Sequence, residues 1–489
     1  MSRSDGEAPR FAIIGAGISG ILCAIKLLEA GHRNIIVYEK GDGVGGTWHR
    51  NTYPGLFCDV PSHTYCYSFE PNPEWSQVFS PGREILSYLE HTVAKYGVDQ
   101  FIRYSEEVTA CEYTGNQWRL TTKLESSDLA DFIICATGVL HHPHYPKIPG
   151  LEKFEGHIIH SARWDHEVQL ENKRIAVVGN GSTGVQLVAE LASNSKHLVH
   201  YQRTPQWIRP IENPHFSEEQ KRQFRLHPEL LQEMRRDPAF YQTVNDFSTA
   251  ITGPESDVAW GLQEFLAQNL EASVSNPLLK EKLLPDHRAG CKRIVSSPNY
   301  YQQIQRDNVD TVTCGIREID ARGVRDNDGG YHRFDIIALA TGYNTLQFMR
   351  PMRVIGHNGV DLNERWAKRP AAYLATSVPD FPNFFMMSGP NGPIGNASLI
   401  DVSEMQWEYI SQLIDVVLDK NLKGICVSNS AFEDFEERRI KAAKTTLFAT
   451  GCDSWYLDDE GVPATWPWSM EHFEVMMKAP ILDDYDHFR

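Results

Sequence analysis

Two copies of one glycine pattern, each set between a β-rich run and an amphipathic helix, constrain this chain more than any other feature. The first reads Phe11–Ile14, then Gly15-Ala16-Gly17-Ile18-Ser19-Gly20, then a helical stretch that stops at Gly31. The second reads RIAVV, then Gly179-Asn180-Gly181-Ser182-Thr183-Gly184, then VQLVAELA. A lone GxGxxG also occurs in ordinary turns, but between strand and helix it is a dinucleotide fingerprint. Gly15 permits the tight turn, Gly17 lets backbone approach a pyrophosphate, and Gly20 allows close helix–strand packing. The helix start adds free N–H groups and a partial positive charge. Gly179, Gly181 and Gly184 repeat these parts, with Ser182 and Thr183 opening the helix.

The strand after each fingerprint discriminates between the two ligands. The first ends at Glu39, whose carboxylate can accept hydrogen bonds from ribose hydroxyls. The second ends Tyr201-Gln202-Arg203-Thr204, with an amide where the carboxylate would stand, then a guanidinium and a hydroxyl. Arg203 can grip a 2′-phosphate that a carboxylate would repel, which points to NADPH rather than NADH. Two such sites in one chain imply electron transfer from nicotinamide to a flavin.

DFIICATG (131–138) and DIIALATG (335–342) are near-copies, each a buried strand running into a Gly turn. Read as return strands, they predict an α/β fold of two nested Rossmann-like domains. An FAD-binding domain is built from 1–140 and 345–489, and an NADP-binding domain, 141–344, is inserted between. Within the latter, about 211–285 reads as a charged helical insertion. The net charge of −17 argues against nucleic acid as a partner. Nine cysteines, with no CxxC pair and no metal-ligand spacing, read as scattered thiols in a reducing compartment. The apolar run 11–28 contains three glycines and a lysine, and no other run is long enough for a bilayer span, so the chain reads as soluble and cytoplasmic. The sequons at Asn180 and Asn396 read as chance.

Three further segments carry a family resemblance. FEGHIIHSARWD fits F-x-G-x-x-x-H-x-x-x-W-[P/D] at Phe154, Gly156, His160, Trp164 and Asp165. GGTWHRNTYPGLFCD, 45–59, fits G-G-x-W-(x)4-[F/Y]-P-G-x-x-x-D. GCKRIVSSPNYYQQIQRDNV, from Gly290, resembles the segment that bears a catalytic arginine. On these the chain resembles the Baeyer–Villiger monooxygenases, within the class B flavin monooxygenases, over nearly its whole length. The resemblance assigns Thr47, Trp48, Asp59 and Tyr65 to the flavin side, Val108 to the adenine, Lys292 to the 2′-phosphate and Arg293 to the flavin ring. Asp59 would orient Arg293, whose permanent charge would stabilise a C4a-peroxyflavin anion. His160 would position the domains rather than act as a base.

The activity so implied is conversion of a ketone and O2 to an ester or lactone, with FAD and NADPH, on a natural-product scaffold by family analogy. Two alternatives stay open: an N- or S-oxidising enzyme on the same scaffold, and a non-catalytic nucleotide-binding protein. A disulfide reductase would need a close cysteine pair, and Cys58 and Cys66 have the wrong spacing. The Trp-rich tail, Trp455–Trp468, reads equally as active-site cover or as core. Substrate identity and oligomeric state are not legible.

Overall fold

The computed structural model describes residues 8–393 and 397–489, so the end of the GPNGPIGN stretch and the Asn396 sequon lie outside the described residues. Its first sheet is five-stranded and parallel, in the order Phe384–Met386, Phe132–Cys135, Phe11–Ile14, Ile35–Tyr38, Ile102–Arg103. The runs FAII, IIVY and FIIC are buried at every position, as unbroken apolar strands covered on both faces should be. Alternate residues then separate into two cores. Phe11 and Ile13 pack with helices Ile18–Glu29 and Leu399–Asp419, whereas Ala12 and Ile14 pack with Val108, Trp118 and Val354 on the opposite face. The edge strand Phe384–Met386 comes from the far end of the chain, so this sheet is discontinuous in sequence.

The second sheet is also parallel, in the order Val309–Val312, His197–Tyr201, Arg174–Val178, Ile336–Leu339, His157–His160. The two near-copy strands occupy equivalent places, each beside its fingerprint strand: Phe132–Cys135 against Phe11–Ile14, and Ile336–Leu339 against Arg174–Val178. Between the strands His197–Tyr201 and Val309–Val312 of this second sheet, 211–285 folds into the helices Glu218–Leu226, Pro228–Arg235, Pro238–Thr252, Asp257–Ser273 and Pro277–Leu283. Their starts are marked by Ser217 with a reciprocal Gln220, by Asp237, Ser256 and Asn276 as caps, and by Pro at the first turn of three.

One reading of the sequence is corrected. Cys291 and Cys452, 161 residues apart, form a disulfide instead of remaining free thiols. Spacing along the chain could not reveal the pair, because only the fold lays the tail across the segment that precedes Lys292. The tail itself divides. Trp466 is buried against Trp468, Phe435 and Phe473, while Trp455 faces the cavity described below. Among the described residues no helix is long and apolar enough to cross a membrane.

Candidate active site

One cavity of about 1830 Å³ runs between the two sheets and is lined by both fingerprints. The reason for the internal repeat lies at its walls. Gly15 has φ +106°, and a Cβ there would stand 2.6 Å from the carbonyl oxygen of Ala136 in the first ATG turn. Gly179 has φ +107°, with the Ala340 oxygen of the second ATG turn at 2.3 Å. Each fingerprint turn is thus pressed against the end of its return strand. Gly20 and Gly184 lie over the carbonyls of Gly15 and Gly179, at 1.8 and 1.9 Å from a built Cβ, so any side chain would push the helix away. At Gly17 the nearest atom to such a Cβ is Gly46 Cα at 3.6 Å, and at Gly181 there is nothing within 4 Å. Those two positions open onto the cavity, as close approach of a pyrophosphate requires. Glu39 closes the first cradle: its Oε2 accepts from the Ala16 N–H at 2.9 Å and its Oε1 from Gly41 at 2.6 Å. Each oxygen keeps a lone pair for a ribose hydroxyl. The residues present therefore fit a flavin dinucleotide in one cradle and a nicotinamide dinucleotide in the other.

Thr47, Trp48, Asp59, Tyr65 and Val108 all line this cavity. Trp48 Nε1 donates to Tyr65 Oη at 3.3 Å with the rings edge to face, which fixes both. Deeper in, Arg293 Nη2 donates to Asp59 Oδ2 at 2.7 Å, across 234 residues. Burial alone would raise the Asp59 carboxyl, but the Arg293 guanidinium, joined by Arg209 and a backbone N–H, holds the group below the usual carboxylate range. Asp59 in turn raises Arg293 against the cost of burial. Both stay charged, and their residual exposure of 21% and 32% faces the cavity.

At the other end, Gln202 is buried and its amide oxygen accepts from Asn180, which also donates to the Thr204 carbonyl. Arg203 projects outward, 84% exposed, with Asp453 at 3.9 Å. Lys292 lines the same wall; burial lowers its pKa, opposed by Asp453 and Asp286. Two cations therefore stand beside the second cradle. Thr183, from the second fingerprint, donates to Tyr53 Oη at 3.2 Å, while Tyr53 donates to Gln186 and Gln186 to the Phe57 carbonyl. This chain of bonds ties the flavin-side loop to the helix Ser182–Leu191.

The motif 154–165 is placed apart from the cavity. Phe154 is buried under the second sheet, and Gly156 lies against the Asp335 carbonyl. His160 is 3% exposed; its Nδ1 accepts from the Ala162 N–H, its Nε2 lies 3.4 Å from Thr341 Oγ1 of the second ATG turn, and burial lowers its pKa. Trp164 packs in one core with Tyr53 of the flavin-side loop, and Asp165 is exposed, accepting from the Glu167 N–H.

Three contributors are singled out by no motif, although Tyr456 lies in the Trp-rich tail and Arg235 in the helical insertion. Arg209 enters beside Asp59 from the strand Ile208–Pro210. Tyr456, 1% exposed, meets Arg293 from the tail that the Cys291–Cys452 bond fastens. Arg235, in the insertion, donates to the Thr64 and Cys66 carbonyls on either side of Tyr65.

The model of the flavin-binding monooxygenase-like family matches residues 8–214. A Baeyer–Villiger monooxygenase from Streptomyces coelicolor is 34% identical over 492 residues, covering 99% of this chain and 93% of that protein. One from Pseudomonas aeruginosa is 35% identical over 92% of this chain and 85% of its own length. The crystal structure of cyclohexanone monooxygenase from Rhodococcus sp. Phi1 bound to NADP+ superposes with a TM-score of 0.87 at 28% identity, over 98% of this chain and 99% of that one. The chain belongs to the Baeyer–Villiger monooxygenases, among the flavin-binding monooxygenases.

Proposed function

We propose that this enzyme inserts one atom of O2 beside the carbonyl of a small-molecule ketone, giving an ester or lactone and water while NADPH becomes NADP+, and that Arg293 and Asp59 are the residues at the reacting atoms. The observation that carries the reading is their 2.7 Å ion pair at the meeting point of two dinucleotide cradles. FAD, when bound, relays the electrons of the nicotinamide to oxygen.

The chain's own residues supply position and charge. Gly15, Gly17 and Gly20 with Glu39 would hold FAD, and Gly179, Gly181 and Gly184 with Ser182 and Thr183 would hold NADPH. Arg203, Thr204 and Lys292 would take the 2′-phosphate, while Thr47, Trp48, Tyr65 and Val108 shape the flavin side. Arg293, kept cationic by Asp59, offers fixed N–H donors to an oxyanion and cannot give up its proton at working pH. The Tyr53–Thr183–Gln186 bonds and the packing of Trp164 with Tyr53 sit where the two parts of the chain meet, and they support a positioning role for the 154–165 motif. The reading keeps the division 1–140 with 345–489 around 141–344, and it puts the enzyme in the cytoplasm, tailoring natural products.

The test supplies purified enzyme with FAD, NADPH, 18O2 and a panel of ketones, amines and sulfides, and follows the products by mass spectrometry. An ester or lactone carrying one 18O per NADPH consumed is the expected result. Oxygenated amines or sulfides with every ketone untouched overturns it.

A further inference from the structure

We propose that Arg209 is a second anion-binding cation of the reaction site, and that the ligand it takes is an oxyanion: a carboxylate carried by the ketone, or the oxyanion that develops at the attacked carbonyl. The inference rests on the reading that Asp59 and Arg293 mark that site.

Arg209 stands in the middle of the short strand Ile208–Pro210, whose parallel partner Val295–Ser297 begins two residues after Arg293. Arg209 is paired in register with Ser296, and its Nε donates to Ser296 Oγ at 3.1 Å. That bond fixes the plane of the guanidinium and uses one of its five donors. Among the described residues neither terminal nitrogen has a protein acceptor, and the side chain lines the cavity.

The charges do not balance. Asp59 is the carboxylate whose field reaches Arg209, and it is already bound to Arg293. Two guanidiniums share one carboxylate, which leaves one positive charge facing the cavity. Burial and repulsion from Arg293 both work against the charged form of Arg209, yet an arginine does not lose its proton in this range. Lys292 and Arg203 do not change the count, because they lie toward Asp453 and Asp286 at the other end.

An unpaired cation at depth is costly unless an anion joins it. An apolar residue at this position would avoid that cost, as the buried neighbour Ile208 does. A planar fork with free donors is instead matched to two oxygens of a carboxylate, or to one oxygen carrying developing charge. The facing wall fits the rest of such a ligand. Helix Pro238–Thr252 turns Phe240, Val244 and Phe247 to the cavity, and helix Asp257–Ser273 turns Val258, Leu262 and Phe265, each set at helical spacing. Thr243 and Asp246 line the cavity beside them, but Asp246 accepts from Gln242, and Asp59 is the carboxylate that acts on Arg209. The geometry describes a ketone with an apolar body beside an anion-accepting corner.

The experiment titrates the FAD-loaded enzyme with benzoate and with benzamide, read by perturbation of the flavin absorbance, in the wild type, Arg209→Met and Arg209→Lys. Benzoate should bind the wild type, and its Kd should rise about 10- to 100-fold in Arg209→Met, the range for a hydrogen-bonded charged partner. Arg209→Lys should fall between, benzamide should be unaffected, and full FAD content shows that each variant is folded. Steady-state kinetics with cyclohexanone and its 4-carboxylate then separate the two sources. A raised KM for the carboxylate alone assigns Arg209 to the substrate's carboxylate. A lowered kcat for both at unchanged KM assigns it to the carbonyl oxyanion. No benzoate binding, or the same Kd in wild type and Arg209→Met, overturns the proposal. The benzoate titration stands even if no ketone is converted, so the two readings fail separately.

Discussion

Replacing Arg235 by Met should weaken the grip of the helical insertion on the flavin-side loop, and the loss should grow with pH. Arg235 ends the helix Pro228–Arg235 with its side chain 8% exposed. One terminal nitrogen donates to the Thr64 carbonyl at 3.1 Å and to that of Cys66; the other donates to Asp401 and, at 3.3 Å, to Glu404 of helix Leu399–Asp419. Removing it strands two half-buried carboxylates and two carbonyls, a loss of up to about 3–5 kcal/mol, the range for a broken buried pair. Burial pushes the Asp401 carboxyl up to about 7, with Arg235 pulling it down and Glu404 and Glu474 adding to the rise. A carboxyl raised in the folded state holds a proton that the unfolded chain has released, so wild-type stability falls as pH climbs from about 4 toward 7. Without Arg235 the Asp401 pKa moves higher still. Below pH 7 both proteins carry the proton and their difference is flat. Above pH 7 only the variant retains it, so its deficit grows by up to about 1.4 kcal/mol per pH unit. Glu404, also raised, acts in the same direction. Thermal release of FAD, followed by flavin fluorescence at pH 6 and pH 8, measures this. An equal deficit at both pH values would refute the reasoning.

Other expectations follow from the same geometry. Arg293→Ala should retain bound FAD and NADPH binding but lose ester formation by about 10²–10³ in rate, the usual cost of removing a charge-stabilising donor; ester formation at the wild-type rate would sink the assignment. Arg203→Ala should raise KM for NADPH far more than for NADH, and equal effects on the two would remove it from the 2′-phosphate. Gly15→Ala must place a methyl 2.6 Å from the Ala136 carbonyl at φ +106°, so the purified protein should lose most of its flavin absorbance while the second cradle still binds NADP+ in calorimetry.

How much of this was legible in advance depended on the range of the interaction. The α/β architecture and its two cofactors could be read because each fingerprint is a local steric problem: turn, approach and packing occupy six consecutive residues, and only glycine solves all three. The near-copies DFIICATG and DIIALATG marked the return strands for the same reason, and the Ala136 and Ala340 carbonyls over Gly15 and Gly179 give the contact behind the repetition. Asp59 and Arg293 are different. They lie 234 residues apart, nothing local to either demands the other, and resemblance alone put them on the same list. Resemblance has no purchase on Arg209, which in sequence is one more charge before a proline, nor on Arg235, the last residue of a short polar helix. Both acquire meaning only when strands and helices from separate parts of the chain converge. The cysteines make the point from the other side: their spacing along the chain contains no CxxC pair, yet the fold brings Cys291 and Cys452 together at the edge of the catalytic segment. The two arginines that no pattern selects therefore carry the sharpest tests. If Arg209 and Arg235 behave as ordinary surface charges, the family scaffold accounts for the whole site. If they do not, the insertion and its flanking strand add charges to the site that the two cradles alone do not supply.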